Sequence, residues 1–145
     1  MLSKKTQYAI HALTHLAREY QKGPVLINTI SERGNIPKKF LESILLELKN
    51  TGVLGSKKGK GGGYYLLKAP EEVNLADVIR QFEGAIALLP CVTFRYYEPC
   101  PHCKDEATCG LRSIIKDLRD EMVNILKKSS LRDILEREEW LKNQL

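Results

Sequence analysis

Tyr8, Ala12, Leu13, Leu16, Ala17 and Tyr20 follow one another at steps of four, one, three, one and three. That spacing gathers apolar side chains on one face of an α-helix. Ser3 stands where an N-cap belongs, and Gly23-Pro24 closes the segment. A short helical stretch is predicted from Asn28 to Arg33, with Ile27 and Ile30 inward and Gly34-Asn35 as its break. Ile36-Pro37 starts a third helix, with Pro37 in the first turn, where its missing N–H costs nothing. Phe40, Leu41, Ile44, Leu45 and Leu48 form its inner face, and Thr51-Gly52 ends it. Two short β-prone runs follow, Val53 to Lys57 and Tyr64 to Leu67. Between them Lys58-Gly59-Lys60-Gly61-Gly62-Gly63 predicts a hairpin with a flexible, cationic tip. Asn74 caps a fourth helix with Leu75, Val78, Ile79 and Phe82 inside. Residues 84–108 show no clear period. Leu111, Ile114, Ile115, Leu118, Met122, Ile125 and Leu126 then mark a helix of about five turns. A last helix runs from about Ser130 to Leu141, with Leu131, Ile134, Leu135 and Trp140 apolar.

Three helices followed by a hairpin are the elements of a winged helix-turn-helix, so the expected fold is mainly α with a two-stranded wing. The expected organisation is a winged helix-turn-helix over residues 1–83, a cysteine-rich segment over 84–109 and a helical region over 110–145. In such a fold the third helix fits the major groove of double-stranded DNA, about 12 Å wide, and offers its N-terminal side chains to base edges. Lys38, Lys39, Glu42 and Ser43 lie there, off the apolar face. Glu42 can accept from cytosine N4, and Lys39 can donate to guanine or phosphate. Lys57, Lys58 and Lys60 stand among glycines that let the backbone approach a phosphate or a minor groove. Candidate DNA contacts are thus Lys38, Lys39, Phe40, Glu42 and Ser43 on the third helix, Tyr8 on the first, and Lys57, Lys58, Lys60, Gly61 and Gly62 in the wing.

Charge sharpens this reading. The chain of 145 residues has a net charge of +5. Residues 1–70 hold 12 Lys/Arg against 4 Asp/Glu, and residues 71–145 hold 11 against 14. The basic half alone calls for an anionic partner, and nucleic acid is the commonest. No apolar run spans a bilayer, and Met1-Leu2-Ser3-Lys4-Lys5 leads straight into an amphipathic pattern rather than a signal peptide. The glycine run lacks the Gly-x4-Gly-Lys-Ser/Thr spacing of a nucleotide-binding loop, and no Ser-His-Asp arrangement or carboxylate pair marks a catalytic pocket. A non-enzymatic, cytoplasmic binding protein is expected.

The four cysteines, Cys91, Cys100, Cys103 and Cys109, are spaced C-x8-C-x2-C-x5-C within the segment lacking a period. Clustered thiols in a reducing setting bind metal or sense redox more often than they form disulfides. Four thiolates suit tetrahedral zinc or an iron–sulfur cluster, and spacing alone does not choose between them. His102 reads as solvent-facing, and the pair His11 and His15, one turn apart, as ordinary helix residues.

With wing and cysteines in view, the chain resembles the Rrf-two type of bacterial transcription regulators. The marks are Tyr8-Ala9, Ile36-Pro37, Leu48-x3-Gly52, Lys58-Gly59-x-Gly61-Gly62-Gly63-Tyr64, Leu75-x2-Val78-Ile79 and Glu83-Gly84. The resemblance covers nearly the whole chain. It implies a homodimer held by the long helix from Leu111 to Lys128, and a repressor switched by an iron–sulfur cluster or by redox state. It also implies that Cys91, Cys103 and Cys109 are the cluster ligands. The histidine that serves as fourth ligand in some members falls at Arg112, which cannot ligate, and the aspartate that serves in others falls near Gln7, a poor ligand. Cys100 is then the fourth ligand, or the cluster differs in nuclearity or keeps an exchangeable position. Zinc, a metal-free thiol switch, a partner-controlled repressor of the same family and a zinc-stabilised winged-helix adaptor are the alternatives.

Overall fold

The computed structural model describes residues 1–145. Its helices are α1 (Lys4–Arg18), α2 (Ile27–Gly34), α3 (Lys38–Asn50), α4 (Leu75–Glu83), α5 (Gly110–Lys127) and α6 (Leu131–Lys142). Strands β1 (Leu54–Lys57) and β2 (Gly63–Leu66) pair antiparallel, with Leu54 opposite Leu66 and Lys57 opposite Gly63. The order is that of a winged helix-turn-helix carrying a long fifth helix, and no helix is long and apolar enough to cross a membrane.

Helix α1 runs through the middle of the winged unit. Ala9, Ala12, Leu13, Leu16 and Ala17 are buried on it, and three alanines among them let neighbouring backbones come close. α2, α3, α4, α6 and β2 all pack against it. Its start is fixed twice. The Ser3 hydroxyl accepts from the Thr6 amide at 3.2 Å, the bond expected of an N-cap. The Glu83 carboxylate, 80 residues away in sequence, accepts from the Ser3 amide at 2.7 Å and from the Thr6 hydroxyl at 2.5 Å. Thr6 is fully buried, so that bond satisfies a group that water cannot reach.

Helix α3 begins one residue later than the sequence suggests, because Pro37 is its cap rather than its first turn. Leu41, Ile44, Leu45 and Leu48 enter the core with Ile30, Ile36, Leu54 and Leu66. Phe40 does not: it is 52% exposed. The other four already fill the inward stripe, and Phe40 stands a helical step of about 100° off Leu41.

The wing is fastened at its root. Val25 and Tyr64 exchange two backbone hydrogen bonds, each 2.8 Å. Gly63, at φ 145°, lies so close beneath Val25 that a Cβ there would run into its carbonyl. The tip is a compact turn, with the Gly62 amide donating to the Gly59 carbonyl at 3.0 Å.

Helix α6 returns to the winged unit. Leu131 is fully buried in the core, its amide donates to the Val73 carbonyl at 3.0 Å, and the Leu75 amide donates to Ser129 at 2.8 Å. Ser130 and Asp133 cap the helix reciprocally, and Arg18 pairs with Glu138 at 2.5 Å. Trp140, apolar in the sequence pattern, is 59% exposed at the far end.

The hydrogen bonds from Thr6 and then Ser3 hold the Glu83 carboxyl below its ordinary value of 4.5. A carboxylate lowered on folding contributes stability above its unfolded value and loses it as pH falls through the folded one. In urea denaturation the native chain should therefore exceed Glu83→Gln in stability at neutral pH, and the gap should close as pH is taken down from 4.5. A gap unchanged at low pH would mean that charge has no part in capping α1.

Candidate nucleic-acid interface and cysteine loop

At the start of α3, Lys38, Lys39, Glu42 and Ser43 are all exposed, on the side away from Leu41, Ile44 and Leu45. Phe40 leans on Tyr8 of α1, with ring centroids 6.1 Å apart and planes tilted by 57°. The structure thus joins two expected contact residues into one aromatic pair beside the exposed lysines. In the wing, Lys57, Lys58 and Lys60 are exposed. None of the five lysines has a carboxylate within 4 Å, so their charge faces solvent. Gly61 is open, whereas Gly62 is buried against the Lys57 carbonyl with its amide already bonded, which makes it part of the shape of the tip. Lys5, by contrast, is bound internally, 2.6 Å from Glu47 and over the Phe82 ring at 5.7 Å.

The cysteine segment leaves α4 at Gly84 and reaches α5 at Cys109. A single turn, Pro90–Val92, buries Cys91 and Val92. Cys100, Cys103 and Cys109 are partly buried, and all four thiols are free. The Cys109 sulfur is the N-cap of α5, accepting from the Arg112 amide at 3.4 Å. Burial, and then the neighbouring Cys109, push the Cys103 thiol above its ordinary value, with a smaller push from Cys100. Cys103 therefore stands in a small neighbourhood of thiols. No three Cys, His, Asp or Glu side chains converge on one ion-sized point. His102 and His11 are exposed and His15 is half-buried.

Two residues that the sequence pattern passed over hold this segment to α5. Arg112 donates from Nε to the Cys91 carbonyl at 3.3 Å and lies 3.7 Å from Glu106, whose carboxylate accepts from the Tyr97 hydroxyl. Arg119 is buried at 6% exposure. Its guanidinium donates to the Val92 carbonyl, pairs with Asp120 at 2.6 Å and covers the Phe94 ring at 4.3 Å. Seven residues apart, the two arginines share a face of α5 and grip consecutive carbonyls. The inward side of α5 is thus centred on Arg119, about 80° around the helix from Leu111. Leu111, Ile114, Leu118 and Ile125 are left exposed at 61%, 68%, 42% and 61%. The sequence signal available was the recurrence of arginine at the flank of the apolar stripe.

Comparison with known proteins gives one consistent match. The family described as Rrf2, iron-dependent transcriptional regulator, matches residues 2–137. An rrf2-like helix-turn-helix transcriptional regulator of Rhodobacter capsulatus is 38% identical over 138 residues, which cover 93% of this chain and 92% of the relative. The helix-turn-helix regulator IscR of Photorhabdus laumondii is 30% identical over 140 residues, covering 97% and 82%. Among solved structures, CymR, the global cysteine regulator of B. subtilis, superposes with a TM-score of 0.77 at 26% identity, over 92% of this chain and 95% of that one.

Arg119→Met keeps most of the side-chain volume and removes the guanidinium, leaving the Val92 carbonyl without its buried donor. The expected loss is about 1–3 kcal/mol in urea denaturation, with faster amide hydrogen exchange over residues 90–94. Arg112→Gln, at a half-exposed side chain, should have the smaller effect. Unaltered exchange in Arg119→Met would show that the loop is held by something else.

Proposed function

Since the chain belongs to the Rrf2 family of transcriptional regulators, we propose that it is a homodimeric, sequence-specific repressor whose hold on double-stranded DNA is switched at the cysteine loop. The family consists of DNA-binding regulators rather than enzymes, and this winged helix-turn-helix is one of them. The observation that carries the finer reading is the grip of Arg112 and Arg119 on the backbone of Cys91 and Val92. It fastens the cysteine segment to the long helix, while the same segment is continuous with α4 of the winged unit.

Base reading falls to the start of α3, where Lys39 and Glu42 present a donor and an acceptor to the major groove. Lys57, Lys58 and Lys60 position the wing on phosphates, which gives affinity without sequence preference. The dimer rests on α5. Four large apolar side chains at 42–68% exposure along an 18-residue helix match a second copy of themselves, as a two-fold interface requires. Two reading units joined in that way address half-sites at a fixed spacing.

Cys91, Cys103 and Cys109, with Cys100 beside them, are the residues that would hold an iron–sulfur cluster. The fit is one of donor chemistry: the segment carries four free thiols, and both Cys109 and Cys100 bear on the Cys103 thiol. The iron dependence in the family's description supports it. When bound, such a group supplies a redox-labile crosslink of thiolates. The chain's own part is mechanical. Cys109 begins α5, and Arg112 links that first turn to Cys91. A change at these sulfurs therefore acts on the start of the helix that sets half-site spacing.

Two measurements test this. On a duplex recovered by selection from random sequence, changing Lys57, Lys58 and Lys60 together to Gln should flatten the dependence of log affinity on log salt by about 2–3, whatever the sequence. An unaltered slope would remove the wing from the interface. For the switch, anaerobically purified protein should absorb broadly near about 400 nm with matching iron and sulfide, and Cys91→Ser or Cys109→Ser should lose the colour and move DNA affinity at least about tenfold. Colourless protein with one zinc per chain would make the loop structural. Colourless, metal-free protein whose affinity still follows oxidation would make it a thiol switch. Affinity indifferent to both substitutions, reduced and oxidised, would end the switch reading.

A further inference from the structure

A cavity of about 510 Å³ opens between the winged unit and the long helix. Arg80 and Gln81 of α4 and Thr51 at the end of α3 form one wall. Phe94, Arg95 and Tyr96 of the cysteine segment form the other. Its size lies within the range of small-molecule sites. The polar groups on its rim divide into two kinds. Asp77 accepts from the Asn74 side chain at 2.8 Å, and Gln81 is bonded to the Glu47 carbonyl and the Thr51 hydroxyl. Arg119 is held by Asp120 and the Val92 carbonyl. Arg80 and Arg95 have no carboxylate within 4 Å. Arg80 and Arg95 thus line one concavity without an ion pair, and an anion bound there would meet two uncommitted cations. A guanidinium takes a carboxylate in a two-point hydrogen bond, and the Phe94 and Tyr96 rings, with Ile86 and Val123, offer an apolar wall beside it.

We propose that this cavity is an effector site for a small organic carboxylate with an aromatic or apolar body, held by Arg80 and Arg95. The site is separate from the DNA face and from the cysteine sulfurs. Thr51 caps the C-terminal end of α3, about 20 Å along the helix axis from Lys38, so the cavity lies at the end of α3 opposite the base-reading residues. Its walls come from α3 and α4 on one side and from the cysteine segment and α5 on the other. A bound anion ties these two sides together, and its affinity is coupled to that of DNA through their relative position.

The test is calorimetric titration of the full-length chain, without DNA, using three probes. Phenylpyruvate carries both the carboxylate and the ring, inorganic phosphate only the charge, and phenylethanol only the ring. Phenylpyruvate should bind saturably and at least tenfold more tightly than either of the others. Arg80→Gln/Arg95→Gln should weaken it at least tenfold. Arg95→Gln alone, at an exposed loop position, should weaken it in the same direction, with circular dichroism confirming the fold of each variant. Absence of saturation up to about 10 mM would overturn the proposal, as would binding indifferent to the double substitution. A double variant that binds duplex DNA with a salt slope lower by about two, while the native chain ignores phenylpyruvate, would make the arginines phosphate contacts and overturn it too. None of these readouts depends on a cluster, so the proposal and the switch reading fail separately.

Discussion

Everything in the winged unit depends on burying α1 on nearly all sides. A helix can be surrounded in this way only if its neighbours approach closely, and Ala9, Ala12 and Ala17 permit that. The price is a helix with few large side chains of its own, so its ends need outside help. Glu83 supplies it at the N-terminus, reaching across from the end of α4 to Ser3 and Thr6. The same bonds tie the C-terminal end of α4 to the start of α1, just before the chain passes into the cysteine segment. α1 also props the start of α3 through Tyr8 and Phe40, and it receives α6 through the Arg18–Glu138 pair. The orientation of α3 is a property of this central packing rather than of α3 alone.

The second organising feature is that the long helix presents cation to the loop and hydrocarbon to solvent. A buried arginine is costly unless its donors are met. Here a carbonyl, a carboxylate and an aromatic face meet those of Arg119. The segment between α4 and α5 has little regular structure, yet at Cys91 and Val92 it is buried and bonded to two arginines of α5. Its thiols, in contrast, lie mostly toward the half-exposed surface. The backbone is anchored at two carbonyls, and three of the four thiols are left partly accessible.

How much of this was legible in the sequence follows the range of the forces involved. Local signals read well. Ser3 and Asn74 cap helices by bonds to residues three positions on, and Leu41, Ile44, Leu45 and Leu48 take their places by period alone. Where two readings competed for one side chain, the period misled: Phe40 counted as inward because it is apolar, but a wide stripe had no room for it. On α5 the period marked the apolar stripe, which the resemblance assigned to a dimer partner, but no hydropathy pattern assigns burial to Arg119. Its partners, Val92 and Phe94, are 27 and 25 positions away. The return of α6 was equally hidden, because it depends on backbone bonds from Leu131 to Val73 and from Leu75 to Ser129 that leave no mark in side-chain order. The cysteine cluster was visible as spacing, while the neighbourhood around Cys103 belongs to the fold.

The wing shows what missing atoms can do. Beneath Val25 and over the Lys57 carbonyl, Gly63 and Gly62 leave no room even for a methyl group, so the hairpin can close down on itself and on the chain at Val25. A loose glycine tract would carry its lysines like bristles on a brush, conforming to any polyanion. This one carries them more like marks on a ruler: Lys57 sits in β1 opposite Gly63, and the bond from the Gly62 amide to the Gly59 carbonyl closes the turn that bears Lys58 and Lys60. A ruler fits some separations and rejects others. On the DNA-binding reading proposed above, a wing shaped in this way would register the groove width of a duplex as well as its charge.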